Sequence, residues 1–330
     1  MDAVARVLGR YGSLKVRHAE SLGNAGGFSG ARLWRVDTGE EQWCLRAWPR
    51  EQSSERLRWM HRVLSHLQQT PFSELPFPVP TDSGETIVTD RGTLWELSRW
   101  LPGTANYHEQ PSQKKLANAV GKLAQLHELL ATCPGASRPA EKSSTVQERL
   151  GVIEKLRREG RARIGARLDR VAWPELRVRA TDVLRRFDAQ VDRVRAELLP
   201  YADRQWPIQV VIRDIWHDHM LFTGDRVTGI VDLGSLRLDT VAVDIARLVG
   251  SLARSPADWQ IALAAYREVR MVSEALEGLV GVLDASFHAL AGMSWLQWIY
   301  VEGRQFEDRS RVLARLDAIL QGSCFPRRDA

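Results

Sequence analysis

Hydrophobic and polar residues follow two different spacings along the chain, and the change falls near residue 100. Between residues 14 and 50 apolar and polar positions alternate, which predicts strands, in the segments LKVRHAESL, RLWRVDT and QWCLRAW. Helical spacing takes over in residues 53–69, SSERLRWMHRVLSHLQQ, where leucines and a methionine recur every three or four positions. After a proline-rich loop, two more strands are predicted in ETIVTD and TLWELSRWL.

The remainder of the chain is predicted to be mainly helical. A short hinge over residues 99–104 precedes an amphipathic helix in SQKKLANAVGKLAQLHELL, a loop in CPGASRPAEKSS and arginine-rich helices to about residue 198. Strand character returns briefly over residues 207–234, and helical spacing covers residues 242–320. The pattern predicts two domains, residues 1–100 and residues 101–330.

Composition limits the possible partners. The 330 residues are 44% hydrophobic and 26% charged, as in ordinary globular proteins, and no apolar run reaches the length that spans a bilayer. Three widely spaced cysteines, with no signal-peptide pattern at the N-terminus, favour a cytoplasmic location. The net charge is +5, and the arginines of residues 154–170 lack interleaved aromatic residues. We therefore expect no nucleic-acid or membrane partner; the oligomeric state is not predicted.

The segment IRDIWHDHMLFTGDRVTGIVDLG, residues 212–234, contains the strongest chemical signal. Asp214 follows an apolar run, His219 lies five residues later, and Asp232 ends a second apolar run after a hairpin signal. This order matches the catalytic loop and the metal-binding loop of protein kinases. Phosphoryl transfer needs one carboxylate that orients the acceptor hydroxyl and cations that neutralise the phosphates.

A glycine-rich segment upstream fits the same chemistry. The sequence GNAGGFSG allows backbone amides to approach a phosphate closely. Within it Gly26, Gly27, Phe28 and Ser29 are the predicted phosphate contacts. The alternative, a flexible hairpin turn, stays open when this segment is considered by itself.

These motifs together resemble the aminoglycoside phosphotransferase and choline kinase superfamily. The matching elements, in chain order, are GGFSGARLWRV, WCLRAW, LWELSRWLPG, LAQLH, IRDIWHDH, VDLG and AVDIARL, so the resemblance covers most of the chain. It implies an α+β, bilobal protein-kinase-like fold. The N-terminal lobe would bind the nucleotide and contain an antiparallel sheet and one helix. The larger C-terminal lobe would be mainly helical and would contain the catalytic and acceptor-binding residues. The implied function is ATP-dependent phosphorylation of a hydroxyl on a small metabolite or antibiotic-like acceptor.

The resemblance also assigns roles to residues. It implies that Asp214 orients the acceptor hydroxyl, that Asp232 holds the metal ion and that Asp244 supports the loop structurally. Arg46 stands where the family has a phosphate-binding lysine. The adenine is expected at the hinge, Leu97, Ser98, Arg99 and Trp100.

Two substitutions depart from the family pattern. His219 occupies the asparagine position, and its imidazole would favour Mn²⁺ over Mg²⁺ as the metal. Arg46 replaces lysine and would need a carboxylate neighbour, for which Glu51 or Glu55 are the sequence candidates. These substitutions motivate an alternative function: a nucleotide-binding, pseudokinase-like regulatory module with weak or no turnover.

Three smaller hypotheses depend on single segments. His217, Asp218 and His219 could form the zinc site of a metal-dependent hydrolase. Trp295, Trp298 and Tyr300 could face an amine substrate through cation–π contacts, although helical spacing favours core packing. A polycationic antibiotic would call for acids in the C-terminal helices, where the candidates are Glu274, Glu277, Asp284, Glu302, Glu307 and Asp308.

Overall fold

The computed structural model describes residues 2–24, 30–170, 173–306 and 308–322 and divides into two compact units. The first unit comprises Met1–Pro111 and Asp218–Leu236, and the second comprises Ser112–His217 and Arg237–Ala330. This division differs from the predicted boundary at residue 100, because the hairpin of residues 220–230 belongs to the first unit.

Backbone pairing explains why the hairpin joins the first unit. Phe222 exchanges two hydrogen bonds with Thr104, at 2.9 and 3.0 Å, and the Ile230 amide donates to the Glu74 carbonyl at 2.7 Å. The hairpin itself consists of two short strands, numbered β8 and β9 in chain order, Met220–Thr223 and Arg226–Ile230. Asp232, which follows β9, is therefore positioned by the first unit.

The first unit is built on a five-stranded antiparallel sheet in the order β1-β2-β3-β5-β4. Its strands are β1 His18–Gly23, β2 Arg32–Asp37, β3 Gln42–Ala47, β4 Val88–Asp90 and β5 Thr93–Arg99. Two helices accompany it, α1 Ala3–Leu8 and α2 Ser54–Leu67. The strands and α2 agree with the sequence-based prediction, whereas α1 adds a second helix to the one expected in this lobe.

Alternation along β3 places its two faces in different surroundings. Trp43, Leu45 and Ala47 are buried in the apolar core, and the residues between them therefore point to the other face of the sheet. Arg46 is on that second face, and the register places Glu96 of β5 directly opposite it. A charged cross-strand pair thus forms in the middle of a sheet.

The second unit is mainly helical. Its helices are α3 Gln113–Ala131, α4 Ser144–Lys155, α5 Arg161–Gly165, α6 Pro174–Ala202, α7 Ala242–Leu252, α8 Pro256–Val269, α9 Glu274–Leu296 and α10 Arg309–Gln321. Single π-helical turns follow α4 and α9, at Leu156–Gly160 and Gln297–Val301. Serine side chains cap several helices, including Ser112 of α3 and Ser273 of α9, because their oxygens accept a hydrogen bond from an amide of the first turn.

A three-stranded antiparallel sheet, in the order β10-β7-β6, completes the second unit. Its strands are β6 Arg138–Lys142, β7 Gln205–Val211 and β10 Arg237–Asp239. The sequence predicts a loop at β6, and that prediction is wrong. The five residues of β6 are all exposed, so the strand depends on pairing with β7 and has no alternation of apolar residues to reveal it.

The helical segment Glu274–Val301 is long and apolar enough to span a membrane by length and composition, with a mean hydropathy of 1.3 in its most apolar window. Because 72% of that window is buried inside the second unit, packing within the protein explains its apolar character. Leu279, Leu283 and Met293 of this segment are fully buried.

Candidate active site

The glycine-rich segment connects β1 with β2. The predicted phosphate contacts Gly26, Gly27, Phe28 and Ser29 lie outside the described residues. The described ends of the connection are Gly23 and Gly30, which both have left-handed backbone angles (φ 61° and 78°). Glycine adopts that conformation without steric cost, so these two glycines set the direction in which the chain leaves β1 and enters β2.

Arg46 is the buried cation of the first unit. Its guanidinium lies 3.8 Å from a carboxylate oxygen of Glu96 and 3.4 Å from Oδ1 of Asp232, and it stacks on the ring of Trp48 at 4.9 Å. The carboxylate neighbours expected from the sequence, Glu51 and Glu55, are exposed residues instead. That expectation is wrong because the cross-strand register, and not the helix that follows β3, supplies the partner.

A buried histidine fixes the orientation of Glu96. His61 of α2 lies 2.7 Å from a Glu96 oxygen through Nε2 and 2.8 Å from Thr86 Oγ1 through Nδ1. Burial raises the pKa of Glu96, but the His61 hydrogen bond and the Arg46 charge outweigh burial, so the pKa lies below its usual value. Glu96 is therefore held as a carboxylate between a histidine and an arginine.

Sequence reasoning missed both His61 and Glu96. Each carries a recognisable signal: His61 shares the apolar face of α2 with Leu57 and Leu64, and Glu96 interrupts the apolar strand TLWELSRW. Buried polar groups need partners, so an ionisable residue inside each apolar pattern indicates a paired site.

Asp232 occupies a left-handed backbone conformation, with φ 59° and ψ 61°. Such angles are uncommon for residues other than glycine, so the surrounding contacts must hold the loop in place. Arg56 of α2 provides two of them, donating to the carbonyls of Gly234 at 3.4 Å and Leu236 at 2.7 Å. The Asp232 side chain is 44% exposed, which leaves it accessible to a ligand.

Asp232 and His219, the predicted metal ligands, supply one carboxylate and one imidazole. His219 Nε2 lies 3.7 Å from Asp232 Oδ2, so the two predicted metal ligands are neighbours. Within the described ranges, no group of three or more His, Cys, Asp or Glu side chains could hold a metal. A carboxylate with an imidazole would suit Mn²⁺ better than Mg²⁺, with phosphates and water as further ligands.

The predicted adenine contacts lie at the end of β5. Leu97, Ser98 and Arg99 are strand residues that pair with β3, and the Leu97 carbonyl accepts from the Val79 amide at 2.7 Å. Arg99 is exposed and forms an ion pair with Glu41. Trp100 stacks under the Arg35 guanidinium at 4.4 Å. Adenine binding at these residues stays a prediction.

In the second unit, Asp244 of α7 holds the loop that leads to Asp214. Its buried carboxylate accepts hydrogen bonds from the backbone amides of Ile212 at 2.7 Å and Arg213 at 2.6 Å. His127 of α3 lies 3.0 Å from the same carboxylate and 2.8 Å from the Tyr266 hydroxyl. The structural role predicted for Asp244 is confirmed by these bonds.

The backbone before Asp214 is strained in the same sense as at Asp232. Arg213 has a left-handed φ of 69°. The two amides that donate to Asp244, those of Ile212 and Arg213, lie at the start of this turn. Asp214 itself is 52% exposed, and Arg247 of α7 donates to its Oδ1 at 3.3 and 3.4 Å. The Asp214 carboxylate is therefore accessible to solvent. Its position is held by the bonds of Asp244 to the preceding backbone and by the contact of Arg247 with its side chain.

The two histidines proposed as zinc ligands, His217 and His219, make other contacts. The His217 ring packs edge-on against Trp216 at 4.5 Å, and its amide donates to Ser251 Oγ at 3.0 Å. His219 lies next to Asp232. A cluster of three metal-binding side chains is absent from the part of the chain that the structure describes, so the zinc hypothesis gains no support.

Two other sequence hypotheses concern the helices of the second unit. Trp295 is buried and packs edge-on against Trp298 at 5.2 Å, as the core-packing interpretation predicts. Arginines of the basic segment pair with acids across the helix interface, as in Arg161 with Asp188. The expected absence of a nucleic-acid partner stays a prediction.

The fold matches that of protein-kinase-like phosphotransferases. An amicoumacin kinase solved with AMP-PNP, Ca²⁺ and its antibiotic is 13% identical, with a TM-score of 0.62 and coverage of 98% of both chains. A microcompartment-associated aminopropanol kinase is 17% identical (TM-score 0.63; 96% and 94% covered). A spectinomycin phosphotransferase with ADP and spectinomycin is 10% identical (TM-score 0.60; 94% and 90% covered). At these identities the likeness establishes the fold.

The family follows from the sequence. The model of the phosphotransferase enzyme family, APH, matches residues 22–279, which is more than half of the chain. The protein therefore belongs to this family of small-molecule phosphotransferases, and the predicted resemblance is confirmed. A search of curated proteins gave no significant match.

Proposed function

We propose that this protein transfers the γ-phosphoryl group of ATP to a hydroxyl of a small-molecule acceptor. The observation that carries the proposal is the left-handed backbone at Asp232 and at Arg213, the residue before Asp214. Among the described non-glycine residues, three have a left-handed φ, and two of these are Asp232 and the residue that precedes Asp214, Arg213. Strained backbone of this kind concentrates at functional sites, where the surrounding structure must hold it.

The residues divide the work as follows. Asp214 orients the acceptor hydroxyl, whose oxygen forms the new bond to phosphorus while its proton passes toward the carboxylate. The bond between the γ-phosphorus and the bridging oxygen breaks, and ADP leaves with that oxygen. Arg46, fixed by Glu96, binds phosphate oxygens. Asp232 and His219 would hold a divalent cation, Mg²⁺ or Mn²⁺, which supplies further charge neutralisation when bound.

One observation favours a second candidate, a nucleotide-binding module without turnover. The Arg46 guanidinium is paired with Asp232 at 3.4 Å, so a cation of the chain itself already lies beside the metal-binding carboxylate. A metal ion would have to compete with that guanidinium for Asp232. Weak metal binding would lower turnover while leaving the phosphate-binding function of Arg46 in place.

Thermal unfolding with ATP and with Mg²⁺ or Mn²⁺ tests nucleotide binding. A ligand that binds only the folded state at about 100 times its dissociation constant adds about 2.7 kcal/mol of stability. A screen of ATP consumption against hydroxylated metabolites then tests turnover. Binding without consumption would favour the regulatory module, and no stabilisation at millimolar ATP with either metal would contradict both candidates. The cytoplasmic location stays part of the proposal, and fractionation of the native host tests it.

A further inference from the structure

A buried cation lies directly beside Asp214 in the second unit. Arg247 donates to Asp214 Oδ1 through Nε and Nη2, and its side chain is only 12% exposed. Its guanidinium stacks on the Phe287 ring at 4.3 Å and lies 5.6 Å from the Trp216 ring. Aromatic stacking and a carboxylate bond together fix the position of this positive charge next to the residue that orients the acceptor.

Arg149 of α4 adds a second positive charge close to the first. Its Nη1 donates to the Leu283 carbonyl and to Ser286 Oγ, and no other nitrogen of its guanidinium has a hydrogen bond within the described ranges. The pKa of Arg149 is lowered to about 10, chiefly by burial; the carboxylates of Asp284 and Asp239 raise it, and the positive charges of Arg247 and Arg213 lower it. The protein therefore only partly compensates the positive charge at this place.

Nearby carboxylates are committed to other partners. Glu148 forms ion pairs with two arginines, Arg213 and Arg237. Buried Asp239 accepts hydrogen bonds from residues at the start of α4 and after β10, namely Ser143, Ser144, Thr145 and Thr240. Neither acid is available to attract a cationic acceptor.

The acids expected for a polycationic antibiotic are similarly engaged. Glu277 pairs with Arg267 and Glu302 pairs with Arg304. Asp308 caps α10 through a bond from the Arg311 amide. Glu307 lies outside the described residues. Glu277 and Glu302 are thus paired with arginines of the chain itself, which reduces the negative charge available to a polycation.

The same cluster contains a buried polar atom without a partner. His288 Nε2 lies 3.6 Å from Asp284 Oδ1, but its Nδ1 is buried and has no hydrogen-bond partner among the described residues. Buried polar atoms are rarely left unpaired in folded proteins. A polar ligand group in this region would supply the missing bond.

We propose that the acceptor carries an anionic group, a carboxylate or a phosphate ester, near the hydroxyl that is phosphorylated, and that Arg149 and Arg247 bind this group. The inference rests on the proposed function, because it takes Asp214 as the residue that orients the acceptor. Guanidinium groups present paired donors that match carboxylate and phosphate oxygens. A bound anion would neutralise the remaining positive charge of the Arg149 and Arg247 guanidinium groups.

Acceptors that share a carbon skeleton and carry an anionic, neutral or cationic substituent test the proposal. In a hexose series we would compare glucuronate, glucose 6-phosphate, glucose and glucosamine; in a three-carbon series, glycerate, glycerol 3-phosphate, glycerol and 2-amino-1,3-propanediol. The readouts are kcat/KM with ATP and, without nucleotide, the shift of thermal unfolding by each compound. We expect the anionic members to exceed the neutral one by roughly tenfold or more, the effect of one charge-assisted hydrogen bond. Whether the carboxylate or the phosphate ester is preferred identifies the anionic group.

Variants assign the preference to the arginines. Arg149→Met should lower the ratio of anionic to neutral acceptor by roughly ten- to hundredfold, and Arg149→Lys, which keeps the charge, should restore part of it. Using a ratio within each variant removes any general loss from altered folding. Arg195→Met is the control, because Arg195 pairs with Glu154 on an exposed helix surface. It should leave the ratio unchanged.

The outcomes separate this proposal from the proposed function. Absence of ATP binding would contradict the phosphotransferase function, while the nucleotide-free shifts would still report on the arginines. Three results would each overturn the proposal of an anionic acceptor. They are a preference for the cationic or neutral compounds, no shift of thermal unfolding with any anionic compound, and an unchanged ratio of anionic to neutral acceptor in Arg149→Met. ATP binding together with any of these results would leave the phosphotransferase function in place.

Discussion

Removing the charge of Glu96 tests the arrangement that positions Arg46. In Glu96→Gln the side chain keeps its shape and can still bond to His61, but Arg46 loses its cross-strand counter-ion. The Glu96 and Arg46 side chains are each only 16% exposed, so solvent screens their interaction weakly. Breaking one partner of a buried ion pair costs about 3–5 kcal/mol, and the lower end applies because Arg46 keeps a second carboxylate, Asp232, at 3.4 Å. We expect Glu96→Gln to lose roughly 3 kcal/mol.

Urea denaturation followed by circular dichroism measures this loss, and an exposed ion pair gives the matched control. Glu41 pairs with Arg99 at 2.7 Å, with 48% and 66% of the two side chains exposed. Surface pairs contribute about 0–1 kcal/mol, so Glu41→Gln should change stability little. Equal effects of Glu96→Gln and Glu41→Gln would refute the idea that a buried charge network holds Arg46.

The pH dependence of the Glu96 effect has a defined sign. The pKa of Glu96 is below its usual value in the folded protein, so its carboxylate stabilises the fold above the unfolded pKa, which is about 4.3. This contribution is lost as the pH falls through the folded pKa. The stability difference between the parent and Glu96→Gln should therefore be full near neutral pH and shrink below about pH 4. A difference that grows on acidification would contradict the assigned network.

Three further predictions test the site and the packing. Asp214→Asn should lower turnover by roughly 10²–10⁴-fold with nearly unchanged ATP affinity, whereas Asp232→Asn should also weaken metal-dependent ATP binding. Steady-state kinetics measures the turnover and calorimetry measures the ATP affinity. Undiminished phosphorylation by Asp214→Asn would refute the role proposed for Asp214. His219→Asn should shift the metal preference from Mn²⁺ toward Mg²⁺, measured by ATP affinity with each metal, and an identical response would exclude His219 as a ligand. Gly292→Ala should lower the free energy of unfolding, measured by urea denaturation, by about 1–3 kcal/mol, because its added carbon would lie 2.7 Å from a valine of α6. Gly151→Ala is the control and should not destabilise the protein, because its added carbon would meet no atom within 4 Å.

The sequence by itself determined the element types that depend on local spacing. Alternation and helical period identified the sheet strands, α2 and the long helices, because those patterns follow directly from backbone geometry. Motif order identified the family and predicted roles for Asp214 and Asp232. It also predicted the loop-supporting role of Asp244, whose carboxylate binds two backbone amides.

Only the tertiary structure decided which side chains meet. The partner of Arg46 is Glu96, which lies fifty residues further along the chain, because strand register brings the two together. The strand β6 has no apolar alternation and exists through pairing with β7. The hairpin of residues 220–230 joins the first unit through backbone bonds to Thr104 and Glu74.

The charge surrounding Asp214 illustrates the same division. The sequence shows arginines and acids mixed along the helices, and their numbers do not reveal which charges neutralise one another. In the folded chain Glu148 binds two arginines, while Arg149 and Arg247 lie near each other and share the buried carboxylate of Asp284 as an electrostatic partner. Electrostatic balance depends on distance and burial, so the sign of the charge near Asp214 is determined only when the helices are packed.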